Sequence, residues 1–167
     1  FLGRGQGDFY GSSDIEDMVA VIDGADDFVE KISNAPAPVR GFLKEKLNAI
    51  VLDGNELRAS ISTDLGFSKK DRDTHNMRVA RLAKILDAQH FNVIVSVIAP
   101  FLSTRQKITR MINPFWIYVK GGKQGENMPY EIPRRPDLIT DQSKETLLGS
   151  LKRIMKEVEK LRIFKVK

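Results

Sequence analysis

The chain reads as an α/β protein: a three-layer sandwich with a short, mostly parallel sheet, helices on both faces and an N-terminal helical appendage. Three observations lead there. Strand-like apolar runs at 49–52, 92–98 and 116–119 alternate with helical patterns from residue 49 onward, the order that builds a parallel sheet. The run Asn92–Ile98, NVIVSVI, is apolar and β-branched with almost no alternation, which suits a strand buried on both faces. From about Lys144 to Phe164, Leu147, Leu148, Leu151, Ile154, Met155, Val158 and Leu161 recur at spacings of three and four, which marks an amphipathic helix.

A length of 167 residues suits one compact domain with an addition, here divided into an appendage at 1–47 and the α/β domain at 48–167. The net charge of +5 points to an anionic partner. Basic residues are spread out apart from a mild concentration after Lys144, so a small anionic nucleotide is favoured over nucleic acid. The absence of cysteine excludes disulfides and thiolate chemistry. No apolar run is long enough to span a bilayer and no signal-peptide pattern is seen, so no membrane partner and a cytoplasmic location are expected. Homo-oligomerisation stays open.

In chain order, the glycine-rich start FLGRGQGDFYG has no strand before it and suits a flexible terminus. Ser13-x-x-Glu16 reads as a capping box opening a short helix over Ile15, Met18, Val19 and Ile22, closed by Gly24. A second short helix is expected from Asp27 to Ile32, and a third over Val39, Phe42, Leu43 and Leu47. The strand Ala49–Leu52 ends in Asp53-Gly54 and is followed by a polar segment to Phe67. Ser68 and Asp71 cap a long helix running to about Gln89. Pro100 ends the 92–98 strand, and Ser103 or Thr104 caps a helix through Met111. A third strand at Trp116–Val119, a Gly- and Pro-rich loop at 121–136 and a short strand at Leu138–Thr140 complete the order.

The candidate chemistry lies at the carboxyl ends of these strands, where ligands of open α/β sheets bind. Guanidinium groups grip phosphate or sulfate oxygens in pairs, and Arg58, Arg72 and Arg78 stand at or near that edge. Phe67 or Phe101 offers an aromatic face for a base, though either also suits the core. A carboxylate beside a hydroxyl nucleophile orients it or accepts its proton.

Five segments stand in order: LDGNELR, DLGFSKKDRDTHNMR, VSVIAPF, WIYVK and PYEIPRRPDL. This series resembles the adenylylsulfate kinase family over residues 47 to 160. The family carries LDGD-x-x-R, DLGFS-x-x-DR-x-x-N-x-x-R and S-x-I-(S/A)-P-(Y/F) in the same order. The resemblance implies a P-loop kinase sheet and transfer of the ATP γ-phosphoryl group to the 3′-hydroxyl of adenylylsulfate, with ATP and magnesium as cofactors. It implies Asp53 as the catalytic carboxylate. It implies an acceptor site of Asn55, Arg58, Phe67, Arg72, Asn76, Arg78, Ile98 and Phe101, with no protein metal ligands. Ser13-Asp14-Ile15-Glu16-Asp17 through Asp23-Gly24 separately resembles a segment of nucleotidyltransferase-like proteins, over roughly the first 45 residues, which would make the chain a fusion product.

Departures from the family are specific. Asn55 replaces the second aspartate of DGD, and Ala99 and Phe101 replace serine and tyrosine. Ungapped, the family's helix asparagine falls on His75, one residue before Asn76. No G-x-x-x-x-G-K-[ST] occurs anywhere, and the region expected to hold it reads KISNAPAPVRGFLKEKL. The prolines there lack the N–H groups a phosphate cradle needs. The first strand is expected to be missing with the loop, and the short segment from Val119 to Tyr130 leaves no extended lid. Impaired phosphoryl transfer follows. The alternatives are a non-catalytic nucleotide-binding or scaffold pseudo-kinase, or a kinase of another small nucleotide.

Overall fold

In a computed structural model, the structure describes residues 19–23, 49–121, 129–141 and 143–160. The elements are β1 (Val19–Asp23), β2 (Ala49–Asp53), α1 (Gly54–Ser60), α2 (Lys69–Asp87), β3 (Asn92–Val97), α3 (Leu102–Ile112), β4 (Phe115–Lys120), β5 (Leu138–Asp141) and α4 (Leu147–Lys160). The five strands form one sheet in the order β2-β3-β1-β4-β5, and every neighbouring pair is parallel.

β1 corrects the sequence reading. Val19 and Ile22 were expected on a short helix, and the first strand was expected to be missing. Instead Val19–Asp23 is the central strand, paired with β3 on one side and β4 on the other. The run Val19-Ala20-Val21-Ile22 is uninterrupted and partly β-branched, so it suits a strand enclosed by neighbours as well as one face of a helix. Tertiary pairing decides between them. This strand belongs to the same sheet as the strands beyond residue 48. The helices expected at 27–32 and 39–47 lie outside the described residues.

Parallel neighbours need crossovers, and these turn right-handed. The steps β2 to β3 and β3 to β4 run in the same direction across the sheet, so their helices share a face. α2 and α3 accordingly pack on each other. The core lies beneath α2: Val79 and Ala83 meet Leu52, Val93, Val95, Val97 and Ala99, with Leu57, Leu82, Leu86, Ile112 and Trp116 around them. β3 buries Val93, Val95, Ser96 and Val97, as expected of a strand covered on both sides. β2 is an edge strand among the described residues, and Val51 is 47% exposed.

The segment after β2, expected to be merely polar, is a seven-residue helix. Asp53 caps it, its Oδ1 accepting from the N–H groups of Asn55 (2.8 Å) and Glu56 (3.0 Å). Gly54 allows the helix to start hard against β3. A Cβ there would sit 3.0 Å from the Ser96 carbonyl oxygen and 3.1 Å from Val97 Cγ1. The Ser68 cap of α2 is as expected, its Oγ accepting from the Asp71 N–H at 3.1 Å. α3 is capped two or three residues earlier than expected, at Phe101, which supplies no side-chain cap.

Gly54→Val is expected to destabilise the fold by about 2 kcal/mol through overpacking against β3, read as a lower urea midpoint at unchanged slope.

Candidate functional site

The ladder register sets the candidate groups at one level. Asp53 pairs opposite Ser96, and Asp23 lies opposite Val97 on one side and Tyr118 on the other. Asp53 and Asp23 thus end their strands two positions apart, about 10 Å across the rim. One Asp53 oxygen is committed to the helix cap. The second makes no hydrogen bond among the described residues, so it is the atom that can meet a hydroxyl. Asn55 is exposed on the first turn of α1.

The strongest cluster follows α1. Phe67 is 69% exposed, with the guanidinium carbon of Arg58 at 4.6 Å from its ring centroid and that of Arg72 at 5.4 Å. Arg58 donates to the Gly66 carbonyl (3.0 Å) and Arg72 Nε to the Phe67 carbonyl (2.9 Å). These bonds pin the arginines to the loop that carries the ring. Burial, and then the neighbouring Arg72, lower the pKa of Arg58. Two cations this close favour an anion between them.

Arg78 stands apart from this pair. It lies six residues beyond Arg72, about 240° further round the helix. It makes a two-pronged pair with Asp64, at 2.5 and 2.8 Å, and donates to the Ile61 carbonyl at 2.8 Å. The Arg78 hydrogen bond holds the Asp64 carboxyl below its ordinary pKa. The expected convergence of three arginines on one rim is therefore corrected: Arg58 and Arg72 meet at Phe67, while Arg78 braces the α1–α2 connection.

His75 and Asn76 are both buried in α2. His75 Nδ1 lies 3.0 Å from Ser62 Oγ, and burial, followed by the charges of Arg58 and Arg78, lowers its pKa to about 4. Asn76 donates to the Arg72 carbonyl (3.0 Å) and to the Ile98 carbonyl (3.1 Å), tying α2 to the end of β3. Its Oδ1 is buried without a partner among the described residues. Ile98 is half-buried. Phe101 is only 8% exposed, and the Lys69 ammonium lies 5.0 Å from its ring centroid, so Phe67 is the aromatic face left open.

Several supporting contacts were not expected from the sequence, among them a role for Thr104 other than the helix cap expected of it. Thr104 Oγ1 donates to the Asp73 carboxylate, joining α2 to α3. Arg105 donates to the carbonyls of Ala99 and Glu131. Glu131 donates its own N–H to the Pro100 carbonyl (2.8 Å) and accepts from the Leu102 N–H (2.6 Å). Tyr130 stacks on Tyr118 with centroids 5.9 Å apart. The PYEIP segment therefore clamps the β3–α3 turn; its prolines were a visible signal of a rigid loop, but its target was not. Among the described residues no group of three or more His, Asp or Glu could hold a metal ion, and no helix is long and apolar enough to cross a membrane.

The position of β1 relocates the phosphate question. In a sheet of this order the donor loop follows the central strand. Here residues 24–30 read Gly-Ala-Asp-Asp-Phe-Val-Glu, with three carboxylates and no Lys-Ser or Lys-Thr pair. The expected place, around Pro36 and Pro38, lies further along. In sequence, the 24–30 stretch carries carboxylates where the phosphate-cradle motif carries glycines, a lysine and a hydroxyl residue.

This architecture defines a P-loop kinase-type α/β fold. It superimposes on the APS kinase of Mycobacterium tuberculosis solved in complex with AMPPNP and APS, with a TM-score of 0.71 and 20% identity, covering 87% of this chain and 99% of that one. A hexameric APS kinase from Thiobacillus denitrificans matches with a TM-score of 0.67 at 24% identity, over 91% of this chain and 31% of that one. The family model for adenylylsulphate kinase matches residues 31–124, and the chain belongs to that family. It is 31% identical over 129 residues to the adenylyl-sulfate kinase of Deinococcus deserti, covering 63% of this chain and 71% of the relative. It is 30% identical over 135 residues to the probable bifunctional SAT/APS kinase 2 of Sorangium cellulosum, covering 66% of this chain but spanning only 23% of that protein.

The low pKa of His75 gives a pH signature. An unfolded histidine takes up its proton near pH 6.5, and the folded one near pH 4. Between those values the unfolded state binds more protons, so stability rises with pH through that window and the gain is lost as pH falls. Urea midpoints measured from pH 7 to pH 4 are expected to show this slope in the parent chain and in His90→Gln. The slope is expected to be reduced in His75→Asn.

Proposed function

We propose that this chain is an adenylylsulfate kinase-like domain that binds the acceptor nucleotide and transfers phosphoryl groups slowly or not at all. The observation that carries this reading is the open Phe67 ring flanked by two guanidinium groups. An adenine laid on the ring takes the place of one guanidinium, which turns to the anionic end of the ligand. Arg58 and Arg72 hold the sulfate or phosphate oxygens in pairs. The uncommitted oxygen of Asp53 orients the 3′-hydroxyl and accepts its proton. Asn55 and Ile98 border the pocket, and Asn76 positions Arg72 through its carbonyl. Phe101 and Arg78 support the walls. The Mycobacterium neighbour was solved with both AMPPNP and APS, which supports the substrate class.

The donor side differs. Asp26, Asp27 and Glu30 follow β1 in the sequence, where the sheet order calls for a phosphate cradle. A second reading, a different small-nucleotide acceptor, draws on His75, which is turned to Ser62 at the position of the family's asparagine. Self-association is also proposed, on the strength of the hexameric neighbour.

Thermal shift separates these readings. Adenylylsulfate is expected to raise Tm with concentration, and ATP to leave it unchanged. Ordinary steady-state turnover would overturn the donor half of the proposal. No shift with any nucleotide would overturn the acceptor half and leave a scaffold. Arg72→Ala is expected to weaken adenylylsulfate binding about tenfold or more without lowering the ligand-free Tm. Arg78→Ala is expected to lower that Tm, because its partners are structural.

A further inference from the structure

A second cleft lies on the β4–β5 half of the sheet, away from Phe67. α3, β4 and the Pro133–Pro136 turn enclose a cleft of about 480 Å³, within the range that takes small ligands. Parallel β4 and β5 require a crossover, usually a helix. The described part of this one, Pro129–Asp137, contains none, and Trp116, Ile117 and Tyr118 of β4 line the cleft beside α3.

The charge of the cleft is one-sided. Arg105, Arg110, Arg134 and Arg135 line it, and no Asp or Glu does. The nearest carboxylates in sequence are turned to backbone N–H groups: Glu131 to Leu102 at 2.6 Å and Asp137 to Trp116 at 2.7 Å. Arg110, Arg134 and Arg135 are exposed and form no ion pair among the described residues. Arg105 is turned to the Ala99 and Glu131 carbonyls, whereas Arg110, Arg134 and Arg135 gather at one concave place, where their fields add and favour an anion.

The remaining wall is aromatic. Trp116 and Tyr118 are two apart on β4 and so share a strand face; Tyr118 is already stacked on Tyr130, which leaves Trp116 as the ring a ligand can meet. The Trp116 indole N–H donates to Thr109 Oγ1 at 2.9 Å, which fixes the ring. A planar ring system stacks on such a surface while its charged substituent reaches the arginines. We propose that this cleft binds a small aromatic oxyanion of the nucleoside monophosphate class, independently of the acceptor site at Phe67.

Trp116 is the only tryptophan in the chain, so intrinsic fluorescence reads the cleft directly. AMP, adenosine and inorganic phosphate are titrated separately into the full chain at low salt. AMP is expected to change the emission saturably, with adenosine and phosphate each far weaker. Arg134→Ala/Arg135→Ala, and separately Arg110→Ala, are expected to weaken the AMP response about tenfold or more. Circular dichroism confirms that these exposed-site variants fold, and Arg72→Ala is expected to leave the response intact. The proposal is overturned by the absence of a saturable AMP response, or by phosphate acting as strongly as AMP. It is equally overturned by a response lost in Arg72→Ala but kept in the Arg134/Arg135 and Arg110 variants.

Discussion

Backbone pairing on both sides of β3 fixes the level at which every candidate group stands. β2 and β1 each run parallel to it, and the register brings Asp53 opposite Ser96 and Asp23 opposite Val97. A slip of one residue in either ladder would turn every side chain of that strand to the other face. It would also carry the Asp53 cap away from the end of β3, where Gly54 leaves just enough room for α1. The start of α1, the loop carrying Phe67 and the entry to α2 all follow from that contact.

From this base the side chains around Phe67 and on α2 are held mostly by backbone carbonyls. Arg58, Arg72, Arg78 and Asn76 all donate to main-chain oxygens of the loops and strand ends around them. Such bonds hold long, flexible side chains in place before any ligand arrives, which lowers the ordering cost of binding. Arg78 shows the division of labour within one motif. It shares a helix with Arg72 but points to Asp64 and the Ile61 carbonyl, and so fastens the scaffold on which the Phe67 cluster stands. His75, buried against Ser62, is a neutral strut of the same kind.

The two halves of the molecule differ in charge logic. On the β2–β3 side, two guanidinium groups flank an exposed aromatic ring. Beyond β1 the chain continues with Asp26 and Asp27 where a triphosphate would need amides and lysine. On the β4–β5 side a separate arginine-lined cleft opens beside Trp116. In this member of the family, the Arg58–Phe67–Arg72 cluster stands on the β2–β3 side, and the sequence after the central strand holds no Gly-x-x-x-x-Gly-Lys-Ser/Thr.

Much of this was written in local sequence. The β-branched run of β3, the Ser68 cap and the periodic apolar stripes of α2 and α4 are set by short-range physics and matched their elements. Phe67, Arg58 and Arg72 were singled out by an ordered series of motifs, and the three side chains stand together in the structure. Tertiary structure decided the rest. Val19–Asp23 has apolar residues that suit a helix face or a buried strand, and only the open slot between β3 and β4 made it a strand. The cross-element partners of Arg78, Asn76 and Arg105 lie 6 to 26 residues away, beyond any local pattern. Hydrogen-bond partners of long side chains are chosen by packing, and packing exists only once the sheet has closed.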